Sequence, residues 1–141
     1  MILYVDSSVL LRVVLGERGR LKEWRRSERW ISSELVRLEC LRTIDRARLQ
    51  IGLADEAVAE RRASVLEYLR AFDLVRLNRG VLDRAAEPFP TALGTLDALH
   101  LASALAAREV VPDLRFATHD RELGLAARSV GFRVLGVPGL A

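Results

Sequence analysis

A chain of 141 residues, half of them apolar, is long enough to bury a core of its own and too apolar to be a disordered segment. The net charge of +3 is modest, and the single cysteine, Cys40, excludes an internal disulfide framework and points to a reducing compartment. No basic stretch precedes the first apolar run, and Arg12 interrupts it, so neither a secretory signal nor a membrane span is expected and the cytoplasm is the expected location. One domain over residues 1–141 is the natural reading of this length.

Ile2–Val5 reads as a buried strand that stops abruptly at Asp6, with a helix from Ser7 to about Leu15 behind it. Gly16 and Gly19 mark a break, and residues 20–29 read as a short, highly charged helix with Trp24 on its apolar side. Trp30-Ile31 is a brief strand ended by Ser32-Ser33. A long amphipathic helix then runs to Gln50, with Val36, Cys40, Ile44, Ala47 and Ile51 forming one stripe at helical spacing. Gly52 ends it, and Asp55 is placed to cap the next helix, which reaches about Ala71 with Val58, Val65, Leu66 and Leu69 on its apolar face.

Leu74–Leu77 is the next expected strand, followed by a short helix over 79–86. Glu87-Pro88-Phe89-Pro90 cannot continue that helix. Leu96 to about Glu109 is apolar nearly all round, as a buried helix is. A strand at 114–118, a helix at 121–130 and a strand at 132–137 complete the chain. Strands alternating with helices imply an α/β domain whose mainly parallel sheet is covered on both faces, a three-layer sandwich.

Four acids stand out within this order. Asp6 follows the first strand, at the edge of a parallel sheet where ligands gather; it is also a fair helix cap, unless Ser7 or Ser8 caps the helix and leaves it free. Glu39 borders the apolar stripe of the long helix, and the plain reading pairs it with Arg42 or Arg46. Asp97 opens the apolar helix, where a buried carboxylate is costly unless paired or metal-bound, although the first turn also favours acids. Asp120 stands just past a later strand and resembles an N-cap. Taken together, strand-end acids and acids from helices packing on the same sheet would crowd one cleft and repel one another. Divalent cations relieve that repulsion, and hard oxygen ligands suit Mg²⁺ or Mn²⁺ and not zinc. The implied chemistry is metal-assisted phosphodiester hydrolysis.

The segments Tyr4-Val5-Asp6-Ser7-Ser8-Val9-Leu10, Ser33-Glu34-Leu35-Val36-Arg37-Leu38-Glu39, Leu96-Asp97-Ala98-Leu99-His100-Leu101-Ala102 and Ala117-Thr118-His119-Asp120-Arg121-Glu122-Leu123 resemble, in order and spacing, those of PIN-domain ribonucleases. The likeness is greatest to VapC-type toxins of toxin–antitoxin systems and spans nearly the whole chain. It implies a PIN-like fold and a metal-dependent endoribonuclease. Asp6, Glu39, Asp97 and Asp120 match the family's acidic metal site for Mg²⁺ or Mn²⁺, and Ser8 and Thr118 match its supporting hydroxyls. It further implies an RNA substrate, a cognate antitoxin that blocks the site, often with a basic side chain, and a homodimer. Ser7 departs from the common threonine, and the fourth acid, Asp120, is the family's most variable.

Other residues have bland readings beside sharp ones. His100, one turn from Asp97, is a general base or ligand on the sharp reading and a hydrogen-bonded helix histidine on the bland one; His119 reads as an exposed loop histidine. Cys40 reads as a small apolar residue. Trp24 and Trp30 read as packing or interface residues. Arg25, Arg26 and Arg29, with the loop 89–94, are candidates for RNA or antitoxin contact. Only Lys22 among the 22 basic residues is a lysine, which suits phosphate recognition and equally a GC-rich genome, and the scarcity of amides fits a thermophile or the same codon bias. Phosphoryl-aspartate folds fit poorly. One class needs an acid where Ser8 stands, and the other a late lysine that the chain lacks. A catalytically silent PIN-like module that binds RNA or protein is the non-enzymatic alternative.

Overall fold

The computed structural model describes residues 1–140. Five strands form one all-parallel sheet: β1 (Ile2–Val5), β2 (Arg29–Ser33), β3 (Phe72–Val75), β4 (Arg115–Ala117) and β5 (Val134–Leu135). The order is β3-β2-β1-β4-β5. The chain therefore works outward from β1 to β3, then returns to the other side of β1. The reversal lies between β1 and β4, and the crevice at the carboxyl ends of such a pair is where doubly wound sheets bind ligands.

Six α-helices cover the sheet: α1 (Ser7–Val14), α2 (Leu35–Ile51), α3 (Asp55–Leu69), α4 (Arg79–Ala86), α5 (Thr95–Val110) and α6 (Arg121–Ser129). The alternation of strand side chains splits the core in two. Leu3, Val5 and Ala117 face Val9 and Leu10 of α1, Val36, Cys40 and Ile44 of α2, and Val65 and Leu69 of α3. Tyr4, Ile31 and Phe116 face Leu101 and Ala104 of α5 and Leu123 and Ala126 of α6. This is the expected three-layer α/β sandwich. Both faces of β1 are covered, which is why its sequence is continuously apolar. Among the described residues, no helix is long and apolar enough to cross a membrane.

Several boundaries differ from expectation. The charged stretch 20–29 forms only a 3₁₀ turn, Trp24–Arg26, because the buried Ser27 hydroxyl donates to the carbonyls of Met1 and Arg29 and pulls the chain toward β2. β3 starts two residues earlier than expected; Leu77 lies beyond it, donating its N–H to Glu34 Oε1. The last strand shrinks to Val134–Leu135, since Gly136 turns the chain at φ +96°. The stripe on α2 fades at its end: Ile51 is 72% exposed, and Gly52 closes the helix in the left-handed conformation. Asp55 is the first helical residue of α3 and not its cap. Trp24 and Trp30 pack together, with ring centroids 5.4 Å apart.

Candidate metal centre

Asp6 is set by the end of β1. Its N–H continues the β1–β4 ladder to the Ala117 carbonyl, and the chain then turns into α1. Of the two readings left open for α1, the structure takes the one in which Asp6 itself is the cap, its Oδ1 accepting from the Val9 N–H at 3.1 Å, and not the one in which Ser7 or Ser8 caps the helix. The Ser8 hydroxyl donates to the same oxygen at 2.6 Å, and the Thr118 hydroxyl to Oδ2 at 2.6 Å. Both hydroxyls are held in turn. Ser8 Oγ accepts from the His119 N–H and Thr118 Oγ1 from the Asp120 N–H, each at 3.0 Å. Thus two short loops, one after β1 and one after β4, lock on a single carboxylate. The turn after β5 packs on the second of these loops, and Gly136 permits it, because a Cβ there would collide with the Thr118 carbonyl.

Asp120 caps α6 through the Leu123 N–H at 3.0 Å and stays exposed at the crevice rim. Asp97 lies in the first turn of α5, half-buried. Glu39 sits on the second turn of α2. Its expected partners Arg42 and Arg46 are not taken up: Arg42 pairs with Asp45, and Glu39 Oε1 meets His100 Nε2 instead. His100 in turn meets the Tyr4 hydroxyl through Nδ1 at 2.9 Å. His119 is part-buried and not exposed as expected, its Nδ1 held at 2.9 Å from the Gly136 carbonyl.

The acids feel one another. Burial, followed by the charges of Asp120, Asp6 and Glu39, pushes the Asp97 carboxyl up to about 6, with His100 opposing. Burial raises Asp6 as well, against the lowering effect of His100, Ser8, Thr118 and the Val9 N–H. For His100, burial disfavours the cation, yet the hydrogen bond and charge of Glu39, with Asp6 and Asp97, raise it overall. Cys40 is buried beside Glu39 and Asp6, and its thiol is pushed up to about 12 by burial first and those charges second, so it supplies no thiolate.

Four carboxylates with no Lys or Arg ion pair among the described residues form a hard-oxygen donor set. Their mutual repulsion is what a divalent cation would remove, and the chemistry fits Mg²⁺ or Mn²⁺. They are not a closed ligand shell: no three His, Cys, Asp or Glu side chains among the described residues converge on one point. Sequence reasoning missed Tyr4. Its signal was a lone hydroxyl in a strand covered on both faces, where a buried O–H must find a partner.

A PIN domain is matched over residues 3–128. Ribonuclease VapC35 of Mycobacterium tuberculosis is 36% identical over 144 residues, covering 99% of this chain and 98% of the relative. Ribonuclease VapC46 of the same organism is 32% identical over 137 residues, covering 94% and 95%.

Proposed function

The chain belongs to the PIN-domain family, in its VapC-type branch, and from that premise we propose that it is an endoribonuclease, the toxin of a toxin–antitoxin pair, working with Mg²⁺ or Mn²⁺ in the cytoplasm. One observation carries the reading most: Asp6, 4% exposed at the reversal of the sheet, lacks any Lys or Arg partner although the chain has 22 Lys and Arg. A buried carboxylate without a cation is expensive, and its persistence calls for a function.

When bound, the divalent ion supplies Lewis acidity toward a phosphodiester and a lowered pKa for water. Asp6 and Asp97 are the residues that would hold it most directly, with Glu39 and Asp120 completing the shell directly or through water. Ser8 and Thr118 fix the orientation of Asp6. RNA is the substrate in this reading. A cognate antitoxin is the protein partner, blocking the cluster with a basic side chain, and the active form is a homodimer.

The test is cleavage of total RNA with Mn²⁺ or Mg²⁺ against a chelator control, with the cut ends mapped. Asp6→Asn and Asp97→Asn should each lower the rate at least about a hundredfold, the scale of losing several kcal/mol of metal-borne stabilisation. Both variants cutting at the wild-type rate would overturn the assignment.

A further inference from the structure

Glu39 is the one acid of the cluster held by another side chain through a route that leaves the crevice. From Glu39 Oε1 the contact passes to His100 Nε2, and from His100 Nδ1 to the Tyr4 hydroxyl at 2.9 Å. Tyr4 is wholly buried in β1, stacked on Phe116 at 5.1 Å and set edge-on to the His100 ring at 6.0 Å. An ionised carboxylate only accepts, so Nε2 carries the hydrogen; Nδ1 then accepts from the tyrosine O–H in the neutral ring and donates to its oxygen in the cation, and is engaged in either state. Both ring nitrogens are engaged and the residue is 1% exposed. It therefore has no free nitrogen for a substrate, an attacking water or a metal ion, which removes the general-base and ligand readings.

We propose that His100 and Tyr4 are positioning residues for the nuclease site, fixing the Glu39 carboxylate to strand β1. The inference rests on the reading of Glu39 as part of that site. It makes β1 the reference for two acids: Asp6 directly, at its end, and Glu39 through Tyr4 and His100. Without the imidazole, Glu39 projects from the second turn of α2 with no other side-chain partner among the described residues. Its rotamers would be unrestrained where the cluster needs a fixed oxygen. No arginine of α2 pairs with Glu39 among the described residues: Arg42 and Arg48 pair with Asp45, and neither Arg37 nor Arg46 forms an ion pair with it.

The experiment compares His100→Leu, His100→Gln and Tyr4→Phe with a control, Phe132→Leu, which perturbs the core beneath α6 away from the acids. His100→Leu should lower kcat about 10–100-fold with KM for RNA little changed, and raise by about tenfold the Mn²⁺ concentration giving half-maximal thermal stabilisation. His100→Gln, which keeps an N–H donor at similar reach, should recover most of both losses. Tyr4→Phe should cost about threefold, the scale of one neutral hydrogen bond. Phe132→Leu should lower Tm and leave the Mn²⁺ midpoint alone. In crystals of His100→Leu the Glu39 carboxylate should leave its wild-type place. If Glu39 stays put and the Mn²⁺ midpoint is unchanged, or if glutamine fails where leucine fails equally, the inference is wrong. A wild-type chain that neither cuts RNA nor responds to Mn²⁺, while Glu39 still moves in His100→Leu, would sink the nuclease reading and leave the positional role standing.

Discussion

At the amino edge of the sheet, acids meet cations in water. Arg29 Nε donates to Asp73 Oδ2 at 2.5 Å, and the N-terminal ammonium meets Glu28 at 3.3 Å; Asp73 is 57% and Glu28 82% exposed. At the carboxyl edge the pattern inverts. Asp6 is buried, Asp97 half-buried and Glu39 sheltered, and none of them has a Lys or Arg partner among the described residues. Burial normally brings pairing, because an unpaired charge out of water is costly. The amino edge is what a surface does with surplus charge. The carboxyl edge keeps like charges close, held by hydroxyls, backbone N–H groups and one imidazole, and in the proposed reading a divalent cation is what relieves them.

The largest expected effect tests that relief by metal. Mn²⁺ at a hundredfold excess over Kd should stabilise the chain by about 2.7 kcal/mol, or roughly 5–10 °C in Tm. A thermal melt with and without metal measures it, and Asp6→Asn should abolish the shift. Variants at the amino edge should keep it in full. No shift at millimolar metal, together with no cleavage, would favour the silent binding module.

Next in size is the hydroxyl bridge between the two loops. Thr118→Val removes the donor to Asp6 Oδ2 and the acceptor of the Asp120 N–H, both buried or part-buried. Denaturant unfolding should show a loss of about 1–3 kcal/mol, and cleavage should fall with it, since Asp6 becomes free to turn. A variant that keeps full stability would mean that Asp6 is held by Ser8 and Val9 alone.

A smaller effect has a pH signature. The fold raises the Asp97 carboxyl from 3.8 to about 6, so the folded state binds its proton more tightly than the unfolded chain. The resulting stability is fully present below about pH 4 and is lost as pH rises through about 6. Because Asp97 is half-exposed, solvent screening leaves about 1 kcal/mol of a shift that would be worth more in a dry site. In chelator, Asp97→Asn should therefore equal wild type near pH 4 and exceed it by about 1 kcal/mol at pH 7.5. Excess Mn²⁺ at pH 7.5 should reverse that order. A wild-type melt flat between pH 4 and 7 would remove the account of an Asp97 carboxyl raised by burial and by its neighbours' charge.

The same contrast explains what could be read from the chain. The alternation of elements, the parallel sheet and the placing of Asp6 and Asp120 after strands follow from local patterns: an apolar run, an acid, then helical spacing. Capping was harder. Whether Asp6 or a serine caps α1 depends on backbone angles that both choices permit, so one carboxylate serving as cap and as crevice acid was not separable beforehand. The partner of Glu39 was out of reach for a different reason. Helical spacing exposes only neighbours three or four residues away, and His100 lies 61 residues further on. The charged stretch 20–29 misled because helix propensity is a weak prior, overridden by Ser27 binding the carbonyls of Met1 and Arg29.

The smallest effect belongs to the amino edge and serves as the counterpart to all the others. The Arg29–Asp73 pair has good geometry, yet both partners are about half exposed, so its Coulomb gain is screened and offset by side-chain ordering. A double-mutant cycle of Arg29→Ala and Asp73→Ala should give a coupling of about 0.2–1 kcal/mol, weakening with added salt. The Mn²⁺ midpoint should not change, because the pair lies at the opposite end of the strands from Asp6. A coupling above about 2 kcal/mol would show that this pair is desolvated after all. A shifted Mn²⁺ midpoint would show that the two edges communicate, and the division between a surface that neutralises its charge and a crevice that keeps like charges together would then fail.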